Sequence, residues 1–191
     1  LLWLLFATSA SAATITVATG IDNLNDDSTC TLSEAITSIN DGDNLSYDEC
    51  NNTGDTFGTD DTINIPAGTI TLTGDLPNLQ ESVSIQGAGM GQTVIDGDSG
   101  QYRGIRSNSA NNLLVEGLTI RAFISYAIST INANVLLNEV EIDGTNASGS
   151  GGEIYGIFLQ AGSSNNLTHQ LNNIYIHDIS SITAHVLAIS S

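Results

Sequence analysis

Arg121 is a single cation set among Glu116, Glu139, Glu141 and Asp143 on its own and the following segment. A basic group that takes a proton from beside a carboxylate, with calcium held by acids on the same face, is what β-elimination of an acidic sugar polymer requires. An arginine among acids is also the ordinary surface ion-pair partner. Glycoside hydrolysis needs instead two facing carboxyl groups roughly 5–10 Å apart. The pairs Asp26-Asp27 and Asp60-Asp61 are adjacent along the chain, so no catalytic residue is assigned. His169, His177 and His185 recur every eight residues, which suits neither one face of a helix nor one strand and argues against a metal site. Asp22, Asp26, Asp27, Asp41, Asp43, Asp96 and Asp98 offer hard oxygen ligands on turns, though none follows the EF-hand order. Calcium is the only cofactor these residues suggest.

Charge narrows the partners. Arg103, Arg106 and Arg121 are the only Lys or Arg residues against 21 acids, giving a formal net charge of −18. Nucleic acid is excluded, since its affinity rests on cations that neutralise phosphate, and an anionic membrane surface is disfavoured for the same reason. The opening LLWLLFATSASAA has an apolar run and an Ala10-Ser11-Ala12 cleavage pattern, so residues 1–12 read as the remnant of a secretory signal peptide. No other stretch approaches the ~20 apolar residues of a transmembrane helix. In a secreted chain Cys30 and Cys50 read as one disulfide, with two buried free thiols as the alternative. A metal site would need more ligands than these two.

The elements that must position these groups are mostly strands. Aromatic residues are only 5% and charged residues 13% of the chain, which favours stacked strands and polar turns over helical packing. Residues 14–18 alternate as a first strand and Gly20 to Ser28 read as an acidic loop. Thr31-Leu32-Ser33-Glu34 then form a capping box, and Leu32, Ala35, Ile36 and Ile39 mark one apolar face of a helix that stops near Gly42. From Asp61 the period becomes two, with strands expected at 62–65, 69–74, 83–87, 93–97, 113–120, 135–143, 157–160 and 173–178. Leu118, Val140 and Ile174 occupy equivalent positions of a repeat, with a loop near 145–153 accounting for the longer second interval. Asn111, Asn112, Asn134, Asn138, Asn172 and Asn173 recur at its turns, where stacked amides bond from one repeat to the next. GAGMG (87–91) follows a strand but opens no helix, so it reads as a turn rather than a phosphate loop.

This order predicts an all-β fold, a right-handed parallel β-helix with an N-terminal α-helical cap. Residues 13–60 form the strand and the disulfide-pinned cap, and 61–191 form the rungs, expected to be incomplete at the C-terminus because the chain stops inside a rung. Residues 13–123 resemble the N-terminal region of the CSLREA-domain proteins of bacteria. The motifs carrying the resemblance are CTLSEAI (30–36), Cys50, DTINIPAGTITLTGDLP (61–77), VSIQGAGMGQTVIDG (83–97) and GLTIRAF (117–123). The chain departs from that pattern at Thr31, where the family has Ser, and at Ser33, where it has Arg. The resemblance implies a secreted or surface-attached solenoid. The expected role is a structural or binding module, adhesin-like, contacting extracellular polysaccharide or surface glycans. The alternative is a pectate-lyase-like or polygalacturonase-like enzyme whose catalytic residues lie outside this sequence or among residues without a recognisable motif.

Overall fold

Stacks of β-branched side chains organise this protein. The computed structural model describes residues 12–53, 57–58, 60–108, 112–149, 154–160 and 167–179. All but the last residue of the expected signal remnant, and also Asn111 and His185, lie outside the described residues. The strands are β1 (Thr14–Thr16), β2 (Gly20–Asp22), β3 (Asn52–Thr53), β4 (Asp61–Asn64), β5 (Gly68–Leu72), β6 (Val83–Gln86) and β7 (Thr93–Asp96). They continue as β8 (Ile105–Ser107), β9 (Asn112–Arg121), β10 (Tyr126–Ile131), β11 (Asn134–Asp143), β12 (Tyr155–Gln160) and β13 (His169–His177). One helix, α1 (Leu32–Asp41), is present among the described residues.

The protein is mostly β, with a curled sheet of ten strands and a second of three. Nearly all pairings are parallel. On the first face of the curled sheet Ile15, Ile63, Ile85, Val115 and Leu137 lie in register from strand to strand. On the second, Ile70, Ile95, Ile120 and Ile142 do the same, and in the smaller sheet Ile105, Ile128 and Ile157 align. Every one of these residues is at most 1% exposed. Each such side chain contributes about 1.5–3 kcal/mol by leaving water, so a strand of three or four residues is held by its neighbours above and below rather than by its own length.

The repeat expected from Leu118, Val140 and Ile174 is present as paired residues of β9, β11 and β13. These long strands turn a corner in their middle. Gly117, Glu139 and Asn173 have φ of 65°, 54° and 53° at the equivalent position, and the register skips all three. A left-handed residue breaks the pleat, so the first half of β9 pairs with β6 and the second with β7. Between β6 and β7 the same corner is made by GAGMG, confirming its reading as a turn.

Four short strands escaped the sequence reading. β2 replaces the start of the expected acidic loop: Gly20–Asp22 pair with Ile70–Leu72 of β5. β3 covers the outer edge of β1 by antiparallel pairing. β8 and β10 alternate over only a few residues, and it is the register of β10 with β8 on one side and β12 on the other that makes them strands.

The helix forms where expected. Thr31 Oγ1 accepts from the Glu34 N–H at 3.3 Å, and Glu34 Oε2 accepts from the Thr31 N–H at 2.8 Å, completing the capping box. Gly42 ends the helix in the left-handed region at φ 76°, its N–H directed to Ile39 and Ser38 carbonyls. Leu32, Ala35, Ile36 and Ile39 are buried in the core shared with the strands. Ser33, Glu34 and Ser38, outside the apolar face, are buried as well. Asp22 at the end of β2 accepts from the Ser33 N–H at 2.9 Å and its hydroxyl at 2.5 Å, and the Cys30–Cys50 disulfide joins the segments flanking the helix. At the other end Asn40 bonds to the Asn78 carbonyl and the Gln80 N–H, either side of Leu79, which bridges to Ser107 of the smaller sheet.

Candidate functional site

Parallel pairing without a register shift has a chemical consequence: residues one repeat apart stand side by side on the outer surface. Asp96 of β7, Arg121 of β9, Asp143 of β11 and His177 of β13 are register partners in that order. Two residues earlier on the same strands, Thr119, Glu141 and Tyr175 form a parallel row. Rungs about 4.8 Å apart bring such rows within hydrogen-bonding reach. Arg121 Nε donates to Asp96 Oδ2 at 2.8 Å. Glu141 Oε2 accepts from the Thr119 hydroxyl at 2.6 Å, and Thr119 Oγ1 accepts from the Gly91 N–H at 2.8 Å. His177 Nδ1 meets Asp178 Oδ2 at 2.6 Å and its Nε2 meets Glu141 Oε1 at 3.2 Å. A depression of about 190 Å³ opens beside the row, lined by Asp96, Ser99, Arg121, Asp143, Thr145 and Asn146.

The electrostatics of the row favour fixed charges. The Asp178 hydrogen bond, outweighing a small cost of burial, raises the His177 pKa, with Glu141 and Asp143 adding to it. Both ring nitrogens face carboxylates, which favours the protonated ring. These contacts join Asp143, His177 and Asp178 into one group within 4.8 Å. Partial burial pushes the Asp143 pKa up, but Thr145, His177 and Arg121 together bring it below the usual carboxylate value. A hydrolase needs one carboxyl raised and a facing one ionised. The raised acids are Asp22 and Glu34, both lifted first by burial, and both bond to the first turn of α1 rather than to the row. Arg121 takes the ion-pair role, its Nε 2.8 Å from Asp96 Oδ2. The row sets hydrogen-bond donors and acceptors side by side on one face.

The other candidates fall into structural roles. Arg103 donates its N–H and Nη1 to Asp75 at 2.9 and 2.7 Å, and Arg106 Nη2 reaches the same carboxylate at 3.7 Å. Asp61 is buried in β4 and accepts from the Ala13 and Gly58 N–H groups, so Asp60-Asp61 is no catalytic pair. Asp43 caps a turn at Leu45 and Asp98 holds Gln101. Asn134 Nδ2 donates to Asn112 Oδ1 at 3.0 Å, one step of the amide ladder expected from the turns, and Asn134 Oδ1 accepts from the Thr168 N–H at 2.9 Å. A second stack joins Tyr126, Tyr155 and Phe158 on the smaller sheet, with ring centroids 5.2–5.6 Å apart. The charged row was missed although its signal was present, since the offset of 22 residues that pairs Thr119 with Glu141 also places Asp143 beside Arg121.

The two described histidines titrate in opposite directions. Burial lowers the His169 pKa, while His177 is raised. His177 stabilises the fold fully below its unfolded value near ~6.5, and that contribution is lost as pH rises through its higher folded value. His169 opposes folding as pH falls from the unfolded value towards its lower folded one. NMR titration of the ring protons is expected to show one midpoint on each side of the ordinary value. His177→Gln removes the upper midpoint.

Comparison with protein-family models, curated proteins and solved structures finds no match to this chain.

Proposed function

We propose that this chain is part of a right-handed parallel β-helix that acts outside the cell as a binding module, holding a hydroxyl-rich polysaccharide across the Asp96–Arg121–Asp143–His177 row. That row is the observation that carries the reading. Its carboxylates accept from sugar hydroxyls, its guanidinium donates, and Tyr175, 57% exposed, offers a ring to a sugar face at its end. The depression beside the row offers a place for one sugar unit. A net charge of −18 disfavours polyanions, so the polymer fitting this surface is neutral. The signal-like start, the disulfide, which persists in oxidising compartments, and the resemblance to CSLREA-domain proteins support a secreted or surface-attached, adhesin-like setting.

Affinity electrophoresis through gels containing a panel of neutral polysaccharides tests this. The wild-type protein is expected to be retarded by at least one of them, and Arg121→Gln with Asp143→Asn to weaken that retardation about tenfold, the loss of one or two charge-assisted hydrogen bonds. Retardation unchanged in the double variant removes the row from the binding surface. A fall in polymer viscosity with calcium present would favour the carbohydrate-active enzyme instead.

A further inference from the structure

At the opposite end of the stack, Asp26, Asp48 and Glu49 bring one carboxylate oxygen each to within 4.8 Å of one another. The three arginines are engaged elsewhere, on Asp75 and Asp96. Exposed acids often cluster without consequence; this group is set apart by carboxylates that water does not reach. Both oxygens of Glu49 are shut off from solvent and have no hydrogen-bond partner. Glu34, whose side chain is fully buried, gives Oε2 to the Thr31 N–H at 2.8 Å and leaves Oε1 without a partner. A buried carboxylate oxygen with no donor costs several kcal/mol unless a cation or a proton reaches it.

The covalent framework explains why these groups meet. Glu49 precedes Cys50, Thr31 follows Cys30, and the two cysteines are bonded with their Cα atoms 4.7 Å apart. The bond therefore staples the loop carrying Asp26 to the one carrying Asp48 and Glu49, over the first turn of α1. The negative charges of Glu49 and Asp27 both bear on Glu34. Three acids brought together, with buried Glu34 close enough to feel the charge of Glu49 and no nitrogen or sulfur ligand among them, match a hard divalent cation.

We propose that the disulfide-joined loops form a calcium site in which Asp26, Asp48 and Glu49 are ligands and Glu34 Oε1 accepts from a cation-bound water. Calcium suits it better than magnesium, because loop carboxylates adapt to an irregular shell of six to eight oxygens more easily than to a strict octahedron. The site is independent of what the charged row binds. Its expected effect is to lock the end of the core: wild-type protein stripped with EDTA melts roughly 5–10 °C below the same protein in a hundredfold excess of calcium over Kd.

The test is thermal melting in EDTA, calcium and magnesium, with terbium emission sensitised through Tyr47, the neighbour of Asp48, as a direct binding readout. Asp26→Asn, an exposed change that leaves the fold intact, is expected to weaken terbium binding at least tenfold, and Asp48→Asn with Glu49→Gln to abolish both the emission and the calcium-dependent rise. Asp143→Asn, in the distant row, retains both. Absence of terbium emission and of any calcium-dependent rise in the wild type overturns the site, as does a rise that survives the double variant or is lost in Asp143→Asn.

Discussion

Ile36→Asp lowers the melting temperature by 10 °C or more and turns the protein from a single species into an associating one. Ile36 is 1% exposed in the middle of α1, within the core that also contains Ile15, Ile63 and Leu79. A carboxylate there has no cation to pair with, since the three arginines are held by Asp75 and Asp96. The loss of the isoleucine and the burial of an unpaired charge together cost on the order of 4–5 kcal/mol, and each kcal/mol is worth about 2–4 °C in a chain of this size. The variant escapes by lifting the helix away. That uncovers the apolar end of a parallel stack, which is a template for another copy. Sedimentation and melting check both effects. A monomeric variant of unchanged stability would mean that α1 does not close the core. Ile36→Val, which keeps the apolar contact, is expected to cost only about 1 kcal/mol.

Removing the disulfide by Cys30→Ser with Cys50→Ser is the second large effect. Closing 20 residues of chain stabilises by about 3 kcal/mol through the entropy of the unfolded state, equivalent to a fall of roughly 6–12 °C in melting temperature. Measurement in EDTA isolates this from any cation bound between the same loops. The β-rich circular dichroism at low temperature is expected to persist, because the aligned isoleucine stacks lie in strands that the bond does not touch. A melting temperature equal to that of the wild type would show that the capping box and the Asp22–Ser33 contacts alone hold the cap in place. Loss of all β signal would show that the stack cannot form without it.

Much of this architecture was legible because the relevant physics is local. The capping box, the apolar positions of α1 and its glycine stop are i to i+3 or i+4 relations. They appear at the residues expected. The longer strands carry strict alternation, and the equivalence of Leu118, Val140 and Ile174 is a periodicity that can be counted. The short strands were not legible for the converse reason. Ile105–Ser107 and Gly20–Asp22 are too brief for alternation to be distinguished from chance, and only the neighbouring rung makes them strands. The burial of Ser33 and Glu34 was hidden too, since it depends on Asp22 and on loops that fold back across the helix.

From composition and order alone followed the mostly β fold, the one helix among the described residues and the pairing of the two cysteines, because each depends on residue type or on neighbours a few positions away. Tertiary structure alone decided which charges face one another. Asp96, Arg121, Asp143 and His177 are separated by unequal intervals, and Asp26 lies far along the chain from Asp48 and Glu49. The first set is joined by strand register, and the second by a covalent bond between loops. Both are long-range constraints whose cost in chain entropy is met by the whole core; the 22-residue offset hints at the pairing of Arg121 with Asp143, and no pattern in the sequence announces the rest.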